Sequence, residues 1–176
     1  GILEQIPTKD IEYAGKIYRE VNVKKIIERH PDIVLIDELA HTNMKGSKNE
    51  KRYQDVLEIL DAGINVHTTV NIQHLESLND VVQTITGIVV KETIPDTVLT
   101  QADEVEVIDI SFESLKERLE RGEIYNLNTV SQALKNFFRK GNLSALREIA
   151  LRQIAQEVDN NLNEYMNNKN IKTNWH

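Results

Sequence analysis

The sequence predicts an α/β domain with a helical C-terminal extension. Three observations carry that expectation. Apolar, β-branched runs at 33–36, 64–70 and 104–110 alternate with segments of helical spacing. The 33–36 run, Ile-Val-Leu-Ile, is continuously apolar, as in a strand covered on both faces of a mainly parallel sheet. After Gly122 the strand-like runs stop and only helical spacing remains.

The elements follow in order. Ile2 to Pro7 reads as a short strand stopped by proline. Ile11-Glu12-Tyr13 and Lys16-Ile17-Tyr18 flank Ala14-Gly15, the pattern of a hairpin. Asn22 is a candidate cap for a helix from Val23 to Arg29, ended by Pro31-Asp32. Strand 33–36 follows, then a polar loop from His41 to Asn49. The next helix spans about Glu50 to Ala62, with Tyr53, Val56, Leu57 and Leu60 on one side and Gly63 as a left-handed cap. Ile64 to Val70 is a second strand, and Gln73 to Thr86 a helix closed by Gly87. Ile88-Val89-Val90 suggests a short strand, and Pro95 opens a short helix ending near Ala102. Glu104 to Ile110 alternates as a third strand, and Ser111 caps a helix to about Glu120. Two helices follow, Asn128 to Phe138 and Leu143 to Met166. The second carries Leu146, Ala150, Ile154, Val158 and Leu162 at four-residue steps, a stripe expected to dock on the domain. This divides the chain into a core over 1–122, a helical extension over 123–166 and an Asn-rich linker over 167–176.

Composition bounds the function. A net charge of −7 on 176 residues argues against broad binding to nucleic acid, which requires clustered cations. Without cysteine there is no disulfide and no thiolate metal site. His41, His67 and His74 lack zinc spacing, so no structural metal is expected; His67 reads as a satisfied or half-buried strand histidine.

The chemistry concentrates where the first long strand ends. Asp37 and Glu38 follow four apolar residues, a Walker B-like pattern in which an acid holds the Mg²⁺ bridging nucleotide phosphates and its neighbour orients water. The plainer reading is a strand returning to solvent. The partner motif, G-x-x-x-x-G-K-[ST], is not in the sequence: Gly15-Lys16 is followed by Ile17, and Asp10 stands where the first glycine belongs. Two polar clusters sit beyond strand ends, His41-Thr42-Asn43 with Lys51-Arg52, and Asn71-Ile72-Gln73-His74. They suit phosphate or water sensing, or equally helix capping by Thr42, Asn49 or Asn71.

Together, Asp37-Glu38-Leu39-Ala40-His41-Thr42-Asn43, Gly46-Ser47, Lys51-Arg52-Tyr53-Gln54-Asp55-Val56, Ala62-Gly63-Ile64 and Thr68 through Asp80 resemble the cytoplasmic N-terminal domain of the Kdp potassium-sensor histidine kinases (KdpD). The similarity continues through Glu104–Asp109, Asn136-Phe137-Phe138 and Asn142 to Glu148. It implies a regulatory domain of a two-component system controlling potassium uptake, with a P-loop-like fold that binds ATP and Mg²⁺. It implies a phosphate loop upstream of Gly1, and downstream a stress-protein-like module, membrane spans and a kinase core. On that reading the 176 residues begin in mid-domain and hold ATP weakly or not at all alone. Asp37 and Glu38 are then the nucleotide and Mg²⁺ candidates, and His41, Thr42, Asn43, Asn71, Gln73 and His74 the phosphate- or water-sensing ones. The implied partners are the neighbouring cytoplasmic modules, a cognate response regulator and a second copy of the chain. The implied setting is the cytoplasmic side of a bacterial inner membrane. The alternative is an independent P-loop-type nucleotide hydrolase or kinase.

Overall fold

The structure is a computed structural model and describes residues 3–123 and 137–169. It is α/β, and the chain forms two compact units, one of residues 1–77 with 90–98 and one of residues 78–89 with 99–176.

The first unit opens on an antiparallel hairpin, β1 (Lys9–Tyr13) with β2 (Lys16–Glu20). Ala14 and Gly15 both take positive φ, 51° and 74°, the geometry of a two-residue turn whose twist matches the flanking strands. Helix α1 (Val23–Arg29) begins where the Asn22 side chain accepts from the Lys25 amide at 3.2 Å, as the capping pattern predicted. β3 (Ile33–Ile36) pairs in parallel with β4 (Asn65–Thr68), and the crossover between them is α2 (Arg52–Asp61). Gly63, at φ 80°, closes α2 with its N–H on the Leu60 carbonyl. Val56, Ile59 and Ile64 fill the core beside Ile36, Leu39 and Ala40. Leu75 and Ile94 meet in a parallel bridge and are both almost fully buried.

In the second unit, α3 (Asn79–Thr86) ends at Gly87, φ 73°. The short α4 (Thr97–Thr100) straddles the boundary between the units. Ser111 caps α5 (Phe112–Glu120) by accepting from the Ser114 amide at 3.1 Å. The long α6 (Lys140–Asn168) packs against α3 and α5 near its start, where Leu146 is buried with Val82 and Leu119.

Several expectations are corrected. Among the described residues the parallel sheet has two strands, and the other sheet is the antiparallel hairpin. β3 is not covered on both faces: Ile33 is 51% and Leu35 60% exposed. Residues 3–7, 88–90 and 104–110 form no ladder. Val105 and Val107 are half-buried and alternate with exposed neighbours, so the period of two is real. A strand, however, needs a second backbone to take its N–H and C=O groups, and among the described residues none pairs with this segment. The helix expected from Gln73 starts as two 3-10 turns, Ile72–His74 and Glu76–Leu78, with α-helix only from Asn79. The buried side of α2 is Asp55, Val56 and Ile59, while Leu60 is 42% exposed. His67 is exposed, because it lies on the uncovered face of the parallel pair. The stripe on α6 buries only its beginning, and Val158 and Leu162 are exposed. The helix expected at 128–138 falls mostly outside the described residues, as does the end of the Asn-rich segment.

Candidate functional site

Asp37 stands at the carboxyl end of β3, beside the carboxyl end of β4, the edge where open parallel sheets bind ligands. Its carboxylate accepts from the Thr69 hydroxyl and, at 2.9 Å, from the Glu38 amide. The Leu39 amide donates to the Thr69 carbonyl at 2.9 Å, so the 37–39 turn is tied to the end of β4. Glu38 holds φ at 55°, a left-handed conformation costing a side-chain-bearing residue on the order of 1 kcal/mol. That strain turns its carboxylate outward, 73% exposed. The acid pair thus divides: Asp37 is held in place and Glu38 points to solvent.

Below the acids lies a charged network. Glu20, at the end of β2, is only 4% exposed, and its carboxylate accepts from the Met44 amide at 2.9 Å, from His41 Nε2 at 3.1 Å and from Arg52 at 3.4 Å. Arg52, in the first turn of α2, also donates to the Asp37 carbonyl at 3.0 Å and lies 3.6 Å from the Glu38 carboxylate. One guanidinium therefore links the buried acid to the Asp37 backbone and to the Glu38 carboxylate. The planar fork of arginine allows this, where a lysine would offer a single point charge.

Thr42 and His74 meet at a residue outside both predicted clusters. The Glu92 carboxylate accepts from the Thr42 amide at 2.8 Å, and the Glu92 carbonyl pairs with His74 Nδ1 at 2.7 Å. Burial pushes the Glu92 carboxyl up, but the Thr42 hydrogen bonds and the charges of His41 and Lys51 outweigh it and hold it below the ordinary range. The Thr42 hydroxyl accepts from Lys51 Nζ at 2.7 Å. Asn43 is buried and works differently. Its amide nitrogen donates to the buried Asp55 at 2.6 Å and to the Asn49 carbonyl at 3.1 Å, closing the 43–50 loop onto α2.

Of the eight predicted residues, Asp37 and Glu38 share one strand end, with His41 joined to them through Glu20 and Arg52. Thr42 and His74 share Glu92. Asn43 belongs to the loop anchor. Asn71 precedes a 3-10 turn without capping it by its side chain, and is exposed; Gln73 is half-buried in that turn. Neither Thr42 nor Asn49 is a helix cap. Lys51 holds the cap position of α2, with the Gln54 side chain accepting from its amide at 3.0 Å. Sequence reading missed Glu20, Glu92 and Asp55. Glu20 is one acid among several in a polar hairpin, and nothing local marks it as buried.

The exposed Asp37 carboxylate beside the Thr69 hydroxyl is a pair of hard oxygen donors, the type Mg²⁺ accepts while retaining water. Residues 1–158 match the family described as KdpD, osmosensitive K⁺ channel His kinase sensor domain. The chain is 55% identical over 173 residues to the sensor protein KdpD of Mycobacterium tuberculosis (strain H37Rv), covering 98% of this chain and 20% of that protein. It is 55% identical over 157 residues to the sensor protein KdpD of Clostridium acetobutylicum, covering 89% of this chain and 17% of that one. It is 45% identical over 174 residues to the sensor protein KdpD of Escherichia coli (strain K12), covering 99% and 20%. The chain belongs to the KdpD sensor-domain family, and it spans about a fifth of the length of these relatives.

Proposed function

We propose that this domain regulates the output of a potassium-responsive sensor histidine kinase by binding Mg²⁺–ATP at the carboxyl end of β3 and β4. The observation that carries the reading is the Asp37 carboxylate, exposed at that edge and held by Thr69 on one side and by the Arg52-anchored turn on the other. Asp37 holds the metal, Glu38 orients water on the solvent side, and Thr42, Lys51 and His74 lie in the neighbouring polar loops. The fold is read as P-loop-like. The exposed Ile33 and Leu35 support a sheet that is completed by further elements of the parent protein, which also supply the phosphate loop. The domain works on the cytoplasmic side of the membrane. Among the described residues no helix is long and apolar enough to cross one.

The test uses the longer protein that contains this domain. Asp37→Asn is expected to weaken Mg²⁺–ATP binding at least tenfold by calorimetry, and to leave binding of ATP in EDTA at the level of wild type in EDTA. Unchanged Mg²⁺–ATP affinity in Asp37→Asn and in Glu38→Gln would refute the assignment.

A further inference from the structure

Glu92 sits on a strap. Residues 90–98 belong to the first unit, while the chain on either side of them, 78–89 and 99–176, belongs to the second. Alternate residues tie the strap down. The Glu92 carboxylate accepts from the Thr42 amide at 2.8 Å, and its carbonyl pairs with His74 Nδ1 at 2.7 Å. Ile94, fully buried, donates its amide to the His74 carbonyl at 2.8 Å and accepts from the Glu76 amide at 3.1 Å. The Asp96 carboxylate accepts from the Ser77 amide at 3.1 Å and from its hydroxyl at 2.5 Å. Ile94 and Asp96 thus hold to residues 74–77, whereas Glu92 also reaches 50 positions back to the loop that follows β3.

That distant contact has the chemistry of an anion site whose anion the chain itself supplies. The Thr42 N–H points at one carboxylate oxygen. The Thr42 hydroxyl accepts from Lys51 Nζ at 2.7 Å, which leaves its own proton to give. Burial works against the Glu92 carboxylate, yet the Thr42 N–H and O–H and the charges of His41 and Lys51 keep it ionised. An N–H, an O–H and a flanking ammonium are the donors that hold phosphoryl oxygens. A carboxylate brings this site one negative charge, whereas a phosphoryl group brings about 1.5 to 2 and a third acceptor oxygen. We propose that Glu92 is the internal ligand of an anion site built by Thr42 and Lys51, and that an entering phosphoryl group displaces it and loosens the 90–98 strap. The inference rests on the reading of the 41–51 loop as facing phosphate, and needs neither Asp37 nor a metal. The two anions exclude each other because they compete for the same N–H. By linkage, the factor by which a seated Glu92 weakens phosphate binding is the factor by which bound phosphate weakens the hold of Glu92. Occupancy of the loop is thereby coupled to the segment whose two ends both continue into the second unit.

The test uses the longer protein that contains this domain, in EDTA, with ionic strength held constant by sodium chloride. Hydrogen exchange is read by mass spectrometry in peptides covering residues 74–77 and 92–96. Orthophosphate is expected to speed exchange there, against a chloride control that does not. Glu92→Gln keeps the shape of the side chain and removes its charge. It is expected to exchange fast without phosphate, and to bind orthophosphate about tenfold tighter than wild type by calorimetry. Tighter binding is the result that a merely structural Glu92 would not give. Lys51→Met is expected to abolish orthophosphate binding with circular dichroism unchanged. A second arm, with Mg²⁺ in place of EDTA, compares ATP with ADP. Faster exchange with ATP and not ADP assigns the ligand to the terminal phosphate of a nucleotide. Faster exchange with orthophosphate alone supports the site with a free anion as its ligand, and counts against the nucleotide reading. Exchange indifferent to both orthophosphate and ATP, equal orthophosphate affinity in wild type and Glu92→Gln, or binding that survives Lys51→Met would each overturn the proposal.

Discussion

Glu20 shows what a single residue contributes here. It ends β2, it is 4% exposed, and the Arg52 side chain that faces it is 12% exposed. Removing one member of a buried ion pair leaves the other charge desolvated without a partner, and this cost is larger than the net worth of the pair. Glu20→Gln, which preserves shape and removes charge, is expected to lower the unfolding free energy by about 3 kcal/mol in urea denaturation. A loss below about 1 kcal/mol, the range of exposed pairs, would show that solvent already screens the contact. Asp37 and Glu38 were legible as residues because two acids end an apolar run. Their different roles were not. That division comes from the Thr69 hydroxyl and from a left-handed turn at Glu38, and neither has a local sequence signal.

At the scale of elements, caps and turns were the most legible features, since their chemistry is confined to a few neighbouring residues. Asn22, Ser111, Gly63 and Gly87 all act where the sequence placed them. Two glycines separate conformational from steric causes. A Cβ on Gly63 meets nothing within 4 Å, but φ is 80°; one on Gly141 also meets nothing, and that residue sits in the helical region of α6. Gly63→Ala is expected to cost about 1 kcal/mol. Gly141→Ala is expected to be neutral or stabilising by up to about 1 kcal/mol. Thermal unfolding of the two variants measures the difference. Strands were less legible. Residues 104–110 alternate in burial as a strand does, yet pair with nothing among the described residues. Asp109 is tied instead to Arg147 at 2.8 Å, an ion pair that holds the Asp109 carboxyl below its ordinary range. Periodicity reports which side of a segment meets the core, and it carries no information about whether another backbone is available to pair.

At the scale of the whole molecule, each unit has its own buried residues. Ile59 is fully buried in the first and Leu119 in the second. Ile59→Ala and Leu119→Ala are each expected to cost about 3 kcal/mol, measured by urea denaturation, because each leaves a cavity its surroundings fill only in part. The sequence by itself determined the α/β character, the helix ends at Asn22, Gly63, Gly87 and Ser111, and the acids at the end of β3, since each depends on residues a few positions apart. The length and similarity of its motifs also carried the family. Only the tertiary structure decided that Arg52 spans Glu20 and the strand-end turn, that Thr42 and His74 converge on Glu92, and that β3 keeps one apolar face exposed. Those features join residues 15 to 50 positions apart. Their partners are chosen by where the strands and helices come to lie, and no local pattern records that choice.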